Sequence, residues 1–80
     1  MTIGTKYAFQ CFKEFAKGKS FNELLGCAKY NIGSLEIIKD VDDYDFNKIA
    51  FSACFYTEES IPCKVEVSYT NNGIEFAVIE

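Results

Sequence analysis

Apolar residues recur at three- and four-residue spacing over the first third of the chain. Ala8, Cys11, Phe12, Phe15 and Ala16 share one side of a helical projection, while Lys6, Gln10, Lys13, Glu14 and Lys17 fall largely on the other. Gly18 supplies a left-handed residue to end this helix. Ser20-Phe21-Asn22-Glu23 then has the form of a capping box: the Ser hydroxyl takes an early orphan amide and the Glu carboxylate reaches back. The spacing predicts a second helix with the stripe Phe21, Leu24, Leu25 and Ala28, stopped between Asn31 and Gly33. A short connection between the two favours a helical hairpin or a sharp corner.

Beyond residue 34 the period becomes two. Ile49, Phe51, Ala53 and Phe55 alternate with Ala50, Ser52, Cys54 and Tyr56, and Val65, Val67 and Tyr69 alternate with Lys64, Glu66 and Ser68. Ile74, Phe76 and Val78 continue the pattern, and Asn72-Gly73 before them suits a type I′ turn. That turn opposes Asn71 with Ile74, Tyr69 with Phe76 and Val67 with Val78. One hairpin earlier, a connection over 58–62 opposes Phe55 with Val65, Ala53 with Val67 and Phe51 with Tyr69. Residues 34–39 fit either an edge strand, with Leu35 and Ile37 opposite Ala53 and Phe51, or a helix on the spacing Leu35, Ile38, Val41. The paired Ile37-Ile38 and the acidic stretch after it favour the strand. The predicted architecture is a single α+β domain over residues 1–80, with two N-terminal helices packed on one face of a three- or four-stranded antiparallel meander.

Charge refines the picture. The 80 residues carry a net charge of −4 and a pI near 4.7, with no His, Arg or Trp. Without His the side chain best suited to proton transfer near neutral pH is missing, and without Arg no rigid fork can grip a carboxylate or phosphate. An acidic chain whose positive charge is all Lys is a poor partner for nucleic acid or anionic lipid. No apolar run approaches the ~20 residues of a membrane span, and Met1 through Tyr7 lacks a signal-peptide core, so the expectation is a cytoplasmic protein. Charge is also divided along the chain. Residues 1–34 hold five Lys and two Glu, net +3, and residues 35–80 hold three Lys and ten carboxylates, net −7.

The densest chemical feature is Asp40-Val41-Asp42-Asp43-Tyr44-Asp45. It fails as a calcium loop, because Asp45 stands where the turn needs Gly and Phe51 where a bidentate Glu is needed. Read as a hairpin end in extended backbone, it spaces carboxylates at about 5 Å, comparable with the regular charge of a nucleic-acid strand. Asp40, Asp42, Asp43 and Asp45 then form a candidate partner-binding rim with Tyr44 as an aromatic anchor. The meander brings Asn71 and Asn72 to the same end of the sheet. The expected partner is another protein with a basic surface, with no direct nucleic acid, no membrane and no cofactor.

A second candidate is the sheet face turned from the helices, where Ile38, Ala50, Cys54, Tyr56, Ala77 and Ile79 lie among polar residues. The last strand, over 74–79, has no Pro or Lys to blunt it as an edge. Ile74, Phe76, Ile79 and Tyr56 are therefore candidate homodimer contacts. The cysteines, Cys11, Cys27, Cys54 and Cys63, form no Cys-x-x-Cys pair, and reduced, packed thiols are expected. The five Gly are scattered singly and build no phosphate loop.

These observations favour a non-enzymatic inhibitor that covers a nucleic-acid-binding surface of another protein. By analogy, such proteins serve phages or mobile elements against host defence (anti-CRISPR-like inhibitors) or act as immunity partners of nuclease toxins. The alternative is a homo-oligomeric structural or adaptor module assembled through its sheet. A helix-turn-helix over 24–41 is disfavoured, because four Asp would crowd the end of its reading helix.

Overall fold

The computed structural model describes residues 2–45 and 48–79, with side chains placed for 2–41 and 48–79. Thr2 starts the first helix: its hydroxyl accepts from Thr5 N–H at 3.1 Å, and α1 runs Ile3–Ala16. Gly18, at φ 81°, turns the chain out of that helix. The capping box then forms as its sequence predicts, with Glu23 N–H donating to Ser20 Oγ and Ser20 N–H to Glu23 Oε1, both at 3.2 Å. It starts α2, Phe21–Lys29. A 3-10 turn at Ile32–Ser34, entered through a left-handed Asn31, leads into the sheet.

Four strands follow: β1 Leu35–Asp45, β2 Lys48–Tyr56, β3 Pro62–Thr70 and β4 Gly73–Val78, in the sheet order β1-β2-β3-β4 and antiparallel throughout. Residues 35–39 are therefore strand, and the helical alternative is excluded. The buried stripes Ala8, Phe12, Ala16 and Phe21, Leu24, Ala28 meet Leu35, Phe51, Ala53, Phe55, Cys63, Val65 and Val67 of the sheet in one core. Phe12 stands edge-on to two rings, Phe55 at 5.6 Å and Phe76 at 5.2 Å, and Phe21 does the same to Phe51 at 5.3 Å. The fold is two-layered α+β, with α1 over β3 and α2 over β1.

All three predicted strand registers are corrected, each by two residues. Phe55 pairs with Cys63, Ala53 with Val65 and Phe51 with Val67; Tyr69 pairs with Ile74 and Val67 with Phe76; Leu35 pairs with Phe55 and Ile37 with Ala53. The physical cause lies in the connections. Between β2 and β3 the loop is 57–61, closed by Thr57 N–H to the Ile61 carbonyl at 3.1 Å and by Ile61 N–H to Thr57 Oγ1 at 3.0 Å. Between β3 and β4 the turn is Asn71-Asn72 rather than Asn72-Gly73. Neither Asn has positive φ, which excludes type I′; Gly73 takes φ 100° as it enters the strand, and Asn72 N–H donates to Thr70 Oγ1 at 3.0 Å.

Candidate functional site

β1 is an edge strand, and its register against β2 shifts between Ile37 and Lys39, between Lys39 and Asp42, and between Asp43 and Asp45. The acidic run is thus part of the paired strand, not a loop beyond it as its composition suggests. Asp42 opposes Ala50, Asp43 opposes Ile49 and Asp45 opposes Lys48. The shifts act as bulges that twist and irregularise the strand, so the even charge spacing of a plain extended segment is not kept. The side chains of Asp42, Asp43, Tyr44 and Asp45 lie outside the described residues. Asn71 and Asn72, both exposed, are at the same end of the sheet as the β1–β2 connection, as the meander requires.

Asp40 is held from within the chain. Its Oδ1 accepts from Val41 N–H at 2.7 Å and its Oδ2 lies 3.3 Å from Lys29 Nζ at the end of α2. The amide bond first, and the Lys29 ammonium second, keep its carboxyl below the ordinary aspartate range. The folded pKa being depressed, the charged form favours the fold above the unfolded pKa, and that contribution is lost as pH falls through the folded value. In a carboxyl NMR titration Asp40 should titrate low, and Lys29→Met should return part of the shift while the Val41 amide keeps the rest. A return to the ordinary value would show that the amide contributes nothing.

The layers also separate charge: the helical third is net positive and the sheet strongly negative. On the sheet face away from the helices, Ala50, Ser52, Cys54 and Ser68 are buried although no helix covers them. They are short side chains between taller ones. Lys48 Nζ reaches Glu66 Oε1 at 3.4 Å, bridging over the Ala50–Ser68 pair. The burial on this face comes from its own neighbours, leaving Ile38 and Tyr56 exposed.

The candidate dimer residues do not form one patch. Ile74 and Phe76 are half-buried against the helix layer, Phe76 on Phe12, while Ile79 and Tyr56 belong to the opposite face. β4 keeps an unbroken register with β3 up to Val78, so what it offers outward is backbone rather than an apolar surface. The four cysteines are free thiols, Cys54 and Cys63 buried, and burial pushes the Cys63 thiol up from its ordinary pKa. Among the described residues no three His, Cys, Asp or Glu side chains group to hold a metal, and no helix is long and apolar enough to cross a membrane.

At the opposite end of the sheet, where the sequence pattern marks no candidate site, a cleft of about 480 Å³ opens between α1, the 3-10 turn and the β2–β3 loop. Tyr7, Cys11 and Phe15 line its α1 side, and Glu58 and Glu59 line its loop side. A signal was present: these three recur every four residues, one stripe over from the buried Ala8, Phe12 and Ala16. Comparison of the chain with protein-family models, with curated proteins and with solved structures finds no match. The class that fold and surface define is a small α+β domain with a run of four Asp on one edge strand.

Proposed function

We propose that the protein is a non-enzymatic inhibitor that covers a basic, nucleic-acid-binding surface of another protein with the acidic edge of its sheet. The observation that carries this reading is the position of the acidic run: four Asp in six residues lie on an edge strand, in a layer of net negative charge backed by one of net positive charge. Such a charge distribution orients an encounter before contact and raises the association rate. An edge strand also brings its open backbone to the partner beside its side chains. The reading takes in Asp40, Asp42, Asp43 and Asp45, with Asn71 and Asn72 extending the rim.

The test uses the triple variant Asp42→Asn, Asp43→Asn, Asp45→Asn. Partners captured on the immobilised wild-type protein at low salt should bind the variant with an association rate about tenfold lower and a flatter dependence on ionic strength. Asn keeps the size and polarity of Asp, so the melting curve should be nearly unchanged. A captured partner that associates equally fast with the variant, at low salt and high, defeats the proposal.

A further inference from the structure

We infer that the cleft between α1 and the β2–β3 loop is a binding site for a small organic cation, an ammonium group carried on a short apolar chain. The inference is independent of the acidic edge strand, which ends at the other end of the sheet.

Three features of the cleft select this ligand. Its floor is apolar: Phe15 and Phe55 lie 5.8 Å apart with their planes tilted by 36°, and Gly33 comes so close to Phe15 that a Cβ there would sit 2.3 Å from the ring. That floor suits a hydrocarbon segment. Its rim is anionic, since Glu58 and Glu59 line it and no Lys does. Its wall includes an aromatic residue able to meet a cation, Tyr7, which is 47% exposed and lines the cleft with the carboxylates. The chain shows the same preference on itself, where the Lys19 ammonium lies 4.6 Å over the Phe15 ring.

The rim is built rather than incidental. Thr57, itself buried, closes the loop with two hydrogen bonds to Ile61, and Ser60 N–H donates to the Thr57 carbonyl at 2.8 Å, with Ser60 at φ 66°. Glu59 is then tied across to the helix, where the Tyr7 hydroxyl donates to its Oε1 at 3.4 Å. The Cys11 sulfur first, then the Glu59 carboxylate, raise the Tyr7 pKa, so the phenol stays a protonated donor. Holding the Glu59 carboxylate in place before the ligand arrives lowers the cost of binding it. A volume of about 480 Å³ lies within the range of small-ligand sites.

The experiment is a titration of the intact protein with hexylammonium, followed by amide NMR, with hexan-1-ol and hexanoate as equal-length probes. Hexylammonium should shift Gly33, Ser34 and Thr57 saturably, with a Kd on the order of 1 mM, while the alcohol and the carboxylate bind at least about tenfold more weakly. The double variant Glu58→Gln, Glu59→Gln should weaken hexylammonium about tenfold, and the acidic-strand triple variant should leave its affinity within about twofold. Glu58 and Glu59 are exposed, and for each variant a spectrum unaltered away from its own substituted residues verifies the fold. Equal binding of the alcohol, undiminished affinity in the double Gln variant, an equal loss in the acidic-strand variant, or no saturation overturns the assignment.

Discussion

Replacing Phe12 by alanine should remove a large share of the domain's stability. Phe12 is fully buried, and its ring stands edge-on to Phe55 of β2 and Phe76 of β4, so one side chain ties α1 to two strands. Truncating a buried Phe costs about 3–5 kcal/mol, from the lost transfer term and the cavity left behind. Total stability for a chain of 80 residues is about 4–12 kcal/mol, so the loss is a large share of the whole. A Leu at the same place keeps most of the volume and should cost less than about 2 kcal/mol. Urea denaturation followed by far-ultraviolet circular dichroism measures both. A Phe12→Ala protein with the wild-type midpoint would mean that α1 does not dock through this ring.

Gly33→Ala should be the second most damaging change, for two separable reasons. The residue has φ 70°, a conformation that costs an L-amino acid about 1–2 kcal/mol. Its Cβ would also fall 2.3 Å from Phe15 Cε1 and 2.6 Å from Cζ, which forces the ring from its place at a further cost of about 1–3 kcal/mol. Gly18 provides the comparison, because it has φ 81° with no heavy atom within 4 Å of its would-be Cβ. Gly18→Ala should therefore show the conformational term alone. Equal midpoints for the two variants would mean that Phe15 moves aside without cost.

The same neighbourhood shows what a sequence can and cannot reveal. Both helices were legible because their evidence is local: the stripes repeat at fixed spacing, and Ser20 and Glu23 cap each other within four residues. Strand identity and the inward face were legible because alternation is also local. Register was not. A slip of two residues returns every side chain to the same face, so the pattern that placed Phe51, Ala53 and Phe55 inward is indifferent to whether Phe55 meets Val65 or Cys63. What decides it is the Thr57 hydroxyl bonding Ile61, and the choice of Gly73 rather than Asn72 for the positive φ. The position of the acidic run within the edge strand was hidden for a related reason, since a bulge adds a residue without changing composition. The cleft lay further out of sight. It joins α1 to a loop some fifty residues later, and only the Tyr7, Cys11, Phe15 stripe hinted at it.

The meander also has a kinetic meaning. Every strand pairs with its neighbour along the chain, and the β2–β3 and β3–β4 connections are only five and two residues long. Zipping such hairpins requires little chain to be drawn together, whereas α1 must return from the start of the chain to lie over β3. Topology thus assigns the slow event in folding to the closing of the helical layer rather than to assembly of the sheet. The rate at which this protein matures is then governed by how soon its first fifteen or so residues find the strands that were made last.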